Sequence, residues 1–131
     1  MERRNISSGS PYEPQIGFSR ASRMGAFIAV SGTAPIGSDG KTVHEGDMYH
    51  QARRCLEIIV DAVCRAGGRK EDIIRTRLFL TDISRWRDAA RAHGEFFSDI
   101  RPACTFLEVR GLIQPEWLVE IEADCILKDG E

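Results

Sequence analysis

The side chains best suited to chemistry cluster near the end of this chain. Arg101-Pro102-Ala103-Cys104-Thr105-Phe106-Leu107-Glu108-Val109 is followed, after a short break, by Leu118-Val119-Glu120-Ile121-Glu122-Ala123-Asp124. Both stretches alternate as strands do, with every second side chain on one face, so Cys104 groups with Phe106 and Glu108, and Glu120 with Glu122 and Asp124. Three acids at that spacing are either a solvated sheet face or include one that lines a cleft, where a carboxylate can orient or activate water. The two stretches read as neighbouring strands, and Glu120 next to Cys104 would raise the thiol pKa rather than lower it, which argues against a ready nucleophile because a thiol reacts as its thiolate. Pairing Cys104 with His93 is a further option, because a histidine can serve a cysteine as base. His93 also falls on an apolar helix stripe, where a core or interface histidine satisfied by one hydrogen bond is the plainer alternative.

The elements that must hold these residues follow from periodicity. Residues 1–15, with Ser7-Ser8-Gly9-Ser10-Pro11 and Pro14, read as an irregular lead-in. Phe18 to Met24 and Phe27 to Ala34 are strand-like, and Gly25-Ala26 between them suits a tight II′ hairpin turn. Asp47 can cap a helix on which Ala52, Cys55, Leu56, Ile59, Val60 and Val63 form one stripe, ended by Gly67-Gly68. Ile73 to Ile83 reads as a strand with Ile74, Leu78 and Leu80 inward and Arg75, Arg77 and Thr81 outward. Asp82 or Ser84 can cap a second helix carrying Trp86, Ala89, Ala90, His93, Phe96 and Phe97, which Pro102 prevents from running on. Strands at about 103–111 and 118–127 complete the order β-β-α-β-α-β-β. That order predicts an α+β or α/β layer with two helices on one face of a sheet. The uncovered face still carries Phe, Leu and Val between its charges, so a homo-oligomer is expected to cover it.

Composition narrows the functional classes. With 131 residues, 42% hydrophobic and 29% charged, the chain suits a single domain over 1–131 with a real core. A net charge of -2 gives no electrostatic footprint for a phosphate backbone, so no nucleic-acid partner is expected. No apolar run approaches the roughly 20 residues that span a bilayer, and Met1-Glu2-Arg3-Arg4-Asn5 lacks the apolar region of a secretory signal, so no membrane partner and a cytoplasmic location are expected. Cys55, Cys64, Cys104 and Cys125 form no Cys-x-x-Cys pair and have no close histidine to complete a zinc set. Cys55, Cys64 and Cys125 read as small buried hydrophobes in a reducing compartment. No nucleotide-binding glycine motif, metal cluster or cofactor-bearing lysine stands out, so no metal and no cofactor are expected.

From end to end the chain resembles the RidA/YjgF family, also called the endoribonuclease L-PSP family, of small trimeric proteins that includes imine deaminases. The resemblance is carried in order and spacing by Ile16-Gly17-Phe18, Val30-Ser31-Gly32, Gln51 with Leu56, Ala66-Gly67, Thr81-Asp82, Phe96-Phe97, Pro102-Ala103 and Val119-Glu120-Ile121-Glu122-Ala123. It implies a chorismate-mutase-like (ferredoxin-like) fold, a homotrimer with a central barrel, and clefts at the subunit boundaries that bind a small metabolite. It further implies that Glu120 positions the attacking water, with Ser31 and Gly32 in the strand flanking the cleft.

Four positions depart from the deaminase pattern that the resemblance brings with it. Cys104 stands where deaminases carry an arginine that grips the substrate carboxylate with its guanidinium fork. Phe18 replaces an aromatic hydroxyl, Ala90 replaces an asparagine, and His93 occupies a place usually held by tyrosine. Losing a bidentate partner from a desolvated carboxylate costs on the order of a thousandfold unless another cation reaches in; Arg91, Arg101 and Arg110 are the candidates near pocket-forming segments, with solvation at the surface the expected fate of each. Two readings therefore compete. One is a RidA-like trimer with deaminase-type hydrolysis resting on Glu120, and the other is a catalytically inactive trimer that senses a ligand or binds protein. Ribonuclease or translation-inhibitory activity, attributed to some relatives, fits the acidic balance least.

Overall fold

A computed structural model describes residues 1–128. In chain order the elements are β1 (Arg3–Ile6), α1 (Tyr12–Ile16), β2 (Ala21–Met24), β3 (Phe27–Thr33), α2 (Met48–Arg65), β4 (Ile73–Leu80), α3 (Trp86–Phe97), β5 (Ala103–Glu108) and β6 (Val119–Ile126). The six strands form one sheet in the order β1-β2-β3-β6-β4-β5. Neighbours are antiparallel except β4 and β5, which run parallel because α3 carries the chain back across the sheet between them. Of the α+β and α/β layers that the element order allows, this is the α+β one, with α2 and α3 on one face.

Alternation along β6 fixes the two faces. Val119, Ile121, Ala123 and Cys125 are buried beneath the helices, while Glu120, Glu122 and Asp124 point the other way. β3 adds Ile28, Val30 and Thr33 to the covered face, and β4 adds Thr76, Leu78 and Leu80. Onto them α2 lays Ala52, Cys55, Leu56, Ile59, Ala62 and Val63. Each fully buried Leu, Ile or Val contributes about 1.5–3 kcal/mol, so this layer dominates the stability of the sheet and its helices. Asp47 caps α2 by accepting a 3.0 Å hydrogen bond from the His50 N–H, and Gly67 follows the helix at φ 95, a left-handed value that a side chain would strain. The hairpin turns at Gly25, φ 59, between the paired residues Met24 and Phe27.

The structure corrects several boundaries. Residues 1–15 are not an irregular lead-in: Arg3–Ile6 pair antiparallel with Ala21–Met24, and Tyr12–Ile16 form a helical turn. Ile6 is the only buried residue of β1, so no apolar alternation announces it. The hairpin's first strand begins at Ala21, and the segment from Gly17 to Arg20 is left to cross the sheet end. Ile74 is exposed and Ile73 takes the buried place, because the β4–β6 register shifts between Ile73 and Arg75. The chain leaves β4 at Leu80, and Ile83 belongs to a helical turn that Asp82 caps through the Ser84 N–H at 3.0 Å and that leads into α3. β5 stops at Glu108, short of 111. Cys55 and Cys125 are buried, but Cys64 lies one position off the α2 stripe and is exposed. No helix among the described residues is long and apolar enough to cross a membrane.

Candidate active site

The cross-strand register separates Glu120 from its two neighbours. Asp124 stands opposite Arg75 and Glu122 opposite Arg77, while Glu120 stands opposite Phe79. Arg77 Nη1 donates to Glu122 Oε1 at 3.1 Å and to Asp124 Oδ2 at 3.5 Å. Pairs this exposed contribute about 0–1 kcal/mol, yet they answer both charges, so Glu122 and Asp124 are a paired, solvated face. Glu120 instead leans over β3, where the register shifts between Val30 and Thr33. A Cβ at Gly32 would come within 2.8 Å of Glu120 Oε1, so the absent side chain is what lets the carboxylate lie there. Burial pushes the Glu120 carboxyl above its ordinary value, Arg20 draws it back down, and Glu122 adds to the rise.

Glu120 lines a cavity of about 120 Å³ with Phe18, Arg20, Gly32 and Trp117. Sequence-local devices place each wall. Gly17 ends α1 in the left-handed region, φ 89, and delivers Phe18 to the cavity. Ser31 Oγ donates to Ser19 O at 2.6 Å, and Ser31 N–H donates to Arg20 O at 2.9 Å, stitching the crossing segment to β3. Arg20 Nη2 donates to Gly32 O at 2.8 Å, and its guanidinium carbon lies 5.3 Å from the Phe18 ring centroid. Trp117 is anchored by its indole N–H on Thr42 Oγ1 at 2.9 Å. Buried Gln51 holds the strand's approach, donating to Val43 O and Glu116 O and accepting from Leu118 N–H at 2.8 Å. A wider groove of about 1020 Å³ opens alongside and shares Tyr12, Arg20 and Trp117 with the cavity.

The remaining expected site residues lie elsewhere in the protomer. Cys104 pairs in register with Thr76, whose side chain is buried under the helices, so Cys104 and Glu120 are on opposite faces of the sheet. The expectation of a thiol beside Glu120 is therefore corrected within one protomer: partial burial, not that carboxylate, pushes the Cys104 thiol up, and a Thr76 hydrogen bond opposes it. His93 shares a 2.8 Å hydrogen bond with Thr76 Oγ1 and packs on Phe97, its centroid 4.7 Å away. Burial holds it below the ordinary histidine value, so it is the neutral histidine satisfied by one hydrogen bond. Among the described residues no hydrogen bond joins Cys104 to His93, and both meet at Thr76 instead. Ala90 lies one helical turn from His93, and Trp86 stacks edge-on against Phe106 at 6.4 Å. Two clusters result, one of Phe18, Gly32 and Glu120 with Ser31 behind them, the other of Ala90, His93 and Cys104 along the β5 edge.

None of the three candidate arginines lines the Glu120 cavity, and surface solvation is their place, as expected. Arg91 stacks 3.7 Å over the Tyr49 ring, while Arg101 and Arg110 are exposed. The cation that does reach the cavity is Arg20, 5% exposed. Sequence reasoning passed over it because a lone arginine between Ser19 and Ala21 carries no pattern that distinguishes it from a surface residue.

Known proteins match the chain along nearly its whole length. The family profile described as Endoribonuclease L-PSP matches residues 9–127. Over 123 residues the chain is 39% identical to the protein SCO2049 of Streptomyces coelicolor, covering 93% of this chain and 90% of that one. It is 32% identical over 112 residues to 3-aminoacrylate deaminase RutC of Acinetobacter baylyi, covering 86% and 83%. Among solved structures, Rv2704 of Mycobacterium tuberculosis, a member of the YjgF/YER057c/UK114 family, superimposes with a TM-score of 0.88 at 41% identity, covering 96% of this chain and 100% of that one. YyfA of Yersinia pestis, of the Rid family, superimposes with a TM-score of 0.85 at 28% identity, covering 96% and 100%.

Proposed function

Starting from the fact that this chain belongs to the endoribonuclease L-PSP family, the RidA/YjgF group, we propose that it is a homotrimer whose intersubunit clefts bind a small metabolite and hydrolyse an imine or enamine with Glu120 as the base. One observation carries the reading: of the three acids on β6, Glu120 alone has no arginine opposite it and faces a cavity. A raised carboxyl pKa suits a group that must take up a proton and return it. In this scheme Glu120 accepts a proton from water as the water oxygen bonds to the imine carbon. The proton passes to the imine nitrogen to give a carbinolamine; Glu120 then takes the hydroxyl proton and hands it to the same nitrogen, and as the C–O double bond forms the C–N bond breaks and ammonia leaves behind a carbonyl. The A. baylyi relative named as a deaminase supports that reaction class.

The second copy's part is to complete the cleft. The β5 edge with Cys104, His93 and Ala90 and the half-exposed Phe27 and Ile126 on the open face are surfaces that suit burial against a neighbour. Phe18, Ser31, Gly32 and Glu120 would then come from one copy, and Ala90, His93 and Cys104 from the next. Cys104 presents no charge, so this wall cannot hold a carboxylate as a guanidinium would.

The test is ammonia release from imines generated in place from several amino acids, with the wild type, Glu120→Ala and Cys104→Arg. Turnover that disappears in Glu120→Ala is expected. A silent wild type that gains turnover on Cys104→Arg would instead favour a trimer that binds a ligand without converting it. A protein that stays monomeric at micromolar concentration would remove the cleft and the proposal with it.

A further inference from the structure

We propose that Arg20 and Glu120 hold the two ends of one small neutral ligand, a carbonyl with an adjacent N–H such as a carboxamide or ureide, with Arg20 donating to the carbonyl oxygen and Glu120 accepting from the N–H. The assignment rests on Glu120 lining a ligand cavity, as proposed above, and not on turnover.

Among the described residues, Arg20 Nε is the one buried side-chain nitrogen or oxygen without a hydrogen-bond partner. The residue is 5% exposed, yet of its five N–H donors the described residues engage one, from Nη2 to Gly32 O, and Nε is sealed without an acceptor. A buried guanidinium with idle donors is unfavourable unless something else supplies the acceptors. Glu120 shares the small cavity with it and influences its charge, but among the described residues no ion pair closes between them. A donor and an acceptor that face one cavity without touching match a ligand presenting the complementary pair.

Charge decides which ligand. Glu13 is 7% exposed and accepts hydrogen bonds from Ser8 N–H at 3.0 Å and Ser8 Oγ at 2.7 Å, which keep its carboxyl below the ordinary value and therefore ionised. Burial works against the Arg20 charge, and Glu13 and Glu120 both work for it. One cation thus already answers two carboxylates. A ligand carboxylate would add a third negative charge to this low-dielectric site, whereas a carbonyl oxygen takes the idle donors without charge. Phe18, Ile16 and Trp117 supply apolar walls for a short hydrocarbon part.

Propionamide and propionate, which have nearly the same shape, separate these possibilities in ligand-observed saturation-transfer NMR titrations at neutral pH. The wild type should bind propionamide about tenfold more tightly than propionate, and Arg20→Gln should lose most of that affinity, the scale of one charge-assisted hydrogen bond. Glu120→Gln keeps the shape and removes a repelling charge, so it should narrow the preference by admitting propionate. Equal or tighter binding of propionate by the wild type, no binding of either compound, or a preference that survives Arg20→Gln would overturn the assignment. If Arg20→Gln does not fold, an unchanged preference in Glu120→Gln is the overturning result. A protein that prefers propionamide but releases no ammonia from any imine would refute the hydrolytic reading and leave this one standing.

Discussion

The substitution Gly32→Ala separates the position of the Glu120 carboxylate from the stability of the fold. An added Cβ would sit 2.8 Å from Glu120 Oε1, where ordinary contact begins near 3.4 Å, so one of the two must give by about 0.6 Å. The backbone of Gly32 is not in the positive-φ region, and the obstructing atom is the tip of a flexible side chain, so the carboxylate is what moves. The stability change should be small, within about 1 kcal/mol, because relief needs only a rotation of Glu120 and alanine reduces the entropy of the unfolded chain. The chemistry should suffer more. A displacement approaching 1 Å costs up to about a hundredfold in a positioned reaction, so kcat/KM for ammonia release should fall by about tenfold to a hundredfold. Thermal denaturation and steady-state ammonia release on the same preparation test the two halves together. Glu120→Asp adds a control: its carboxylate is about 1.5 Å shorter in reach, so it should lose less in the Gly32→Ala background than in the wild type. Wild-type kinetics in a folded Gly32→Ala protein would refute the argument, and so would a large loss of stability with the carboxylate unmoved.

The other predictions follow from the same contacts. If ionised Glu120 is the base, kcat/KM should rise with pH through a limb displaced above the ordinary glutamate value, and Glu122→Gln should move that limb down because its charge contributes to the rise; a limb at the ordinary value in a pH–rate profile would contradict this. The linkage has a definite sign. The folded-state value is raised, so any stability linked to protonated Glu120 is present below the unfolded-state value and lost as pH rises through the folded one, and Glu120→Gln should stabilise the protein at neutral pH but not in acid. Gln51→Leu would strand the Val43 and Glu116 carbonyls and the Leu118 N–H, costing about 3 kcal/mol in denaturant unfolding, and an effect below about 1 kcal/mol would show that this clamp is unimportant.

Much of the scaffold can be read from alternation, because burial on one face of β6 and one stripe of α2 imposes a period that the side chains record directly. The same device brings Glu120, Glu122 and Asp124 to one face but cannot rank them. Their ranking depends on which residue of β4 stands opposite each, Phe79 or an arginine, and that register is set by a shift between Ile73 and Arg75 with no local signature. β1 is invisible for a related reason, since its only buried residue is Ile6 and the backbone pairing with β2 holds the rest. Placing Cys104 beside Glu120 treats two adjacent segments as neighbours in space, whereas β4 lies between β5 and β6 and the two side chains point to opposite faces. Arg20 is the plainest loss: its importance comes from burial and unused donors, which no spacing reveals.

Subunit complementation tests most directly whether the site is built from two copies. Glu120→Ala disables one proposed half and Cys104→Trp obstructs the other, so each variant alone should release no ammonia from imines. After unfolding and refolding together, random mixing in a closed ring gives about one quarter of the interfaces an intact half from each partner, and activity should return to about one quarter of the wild-type value. Mixed oligomers confirmed by native mass spectrometry but without any recovered activity would contradict a site shared between subunits.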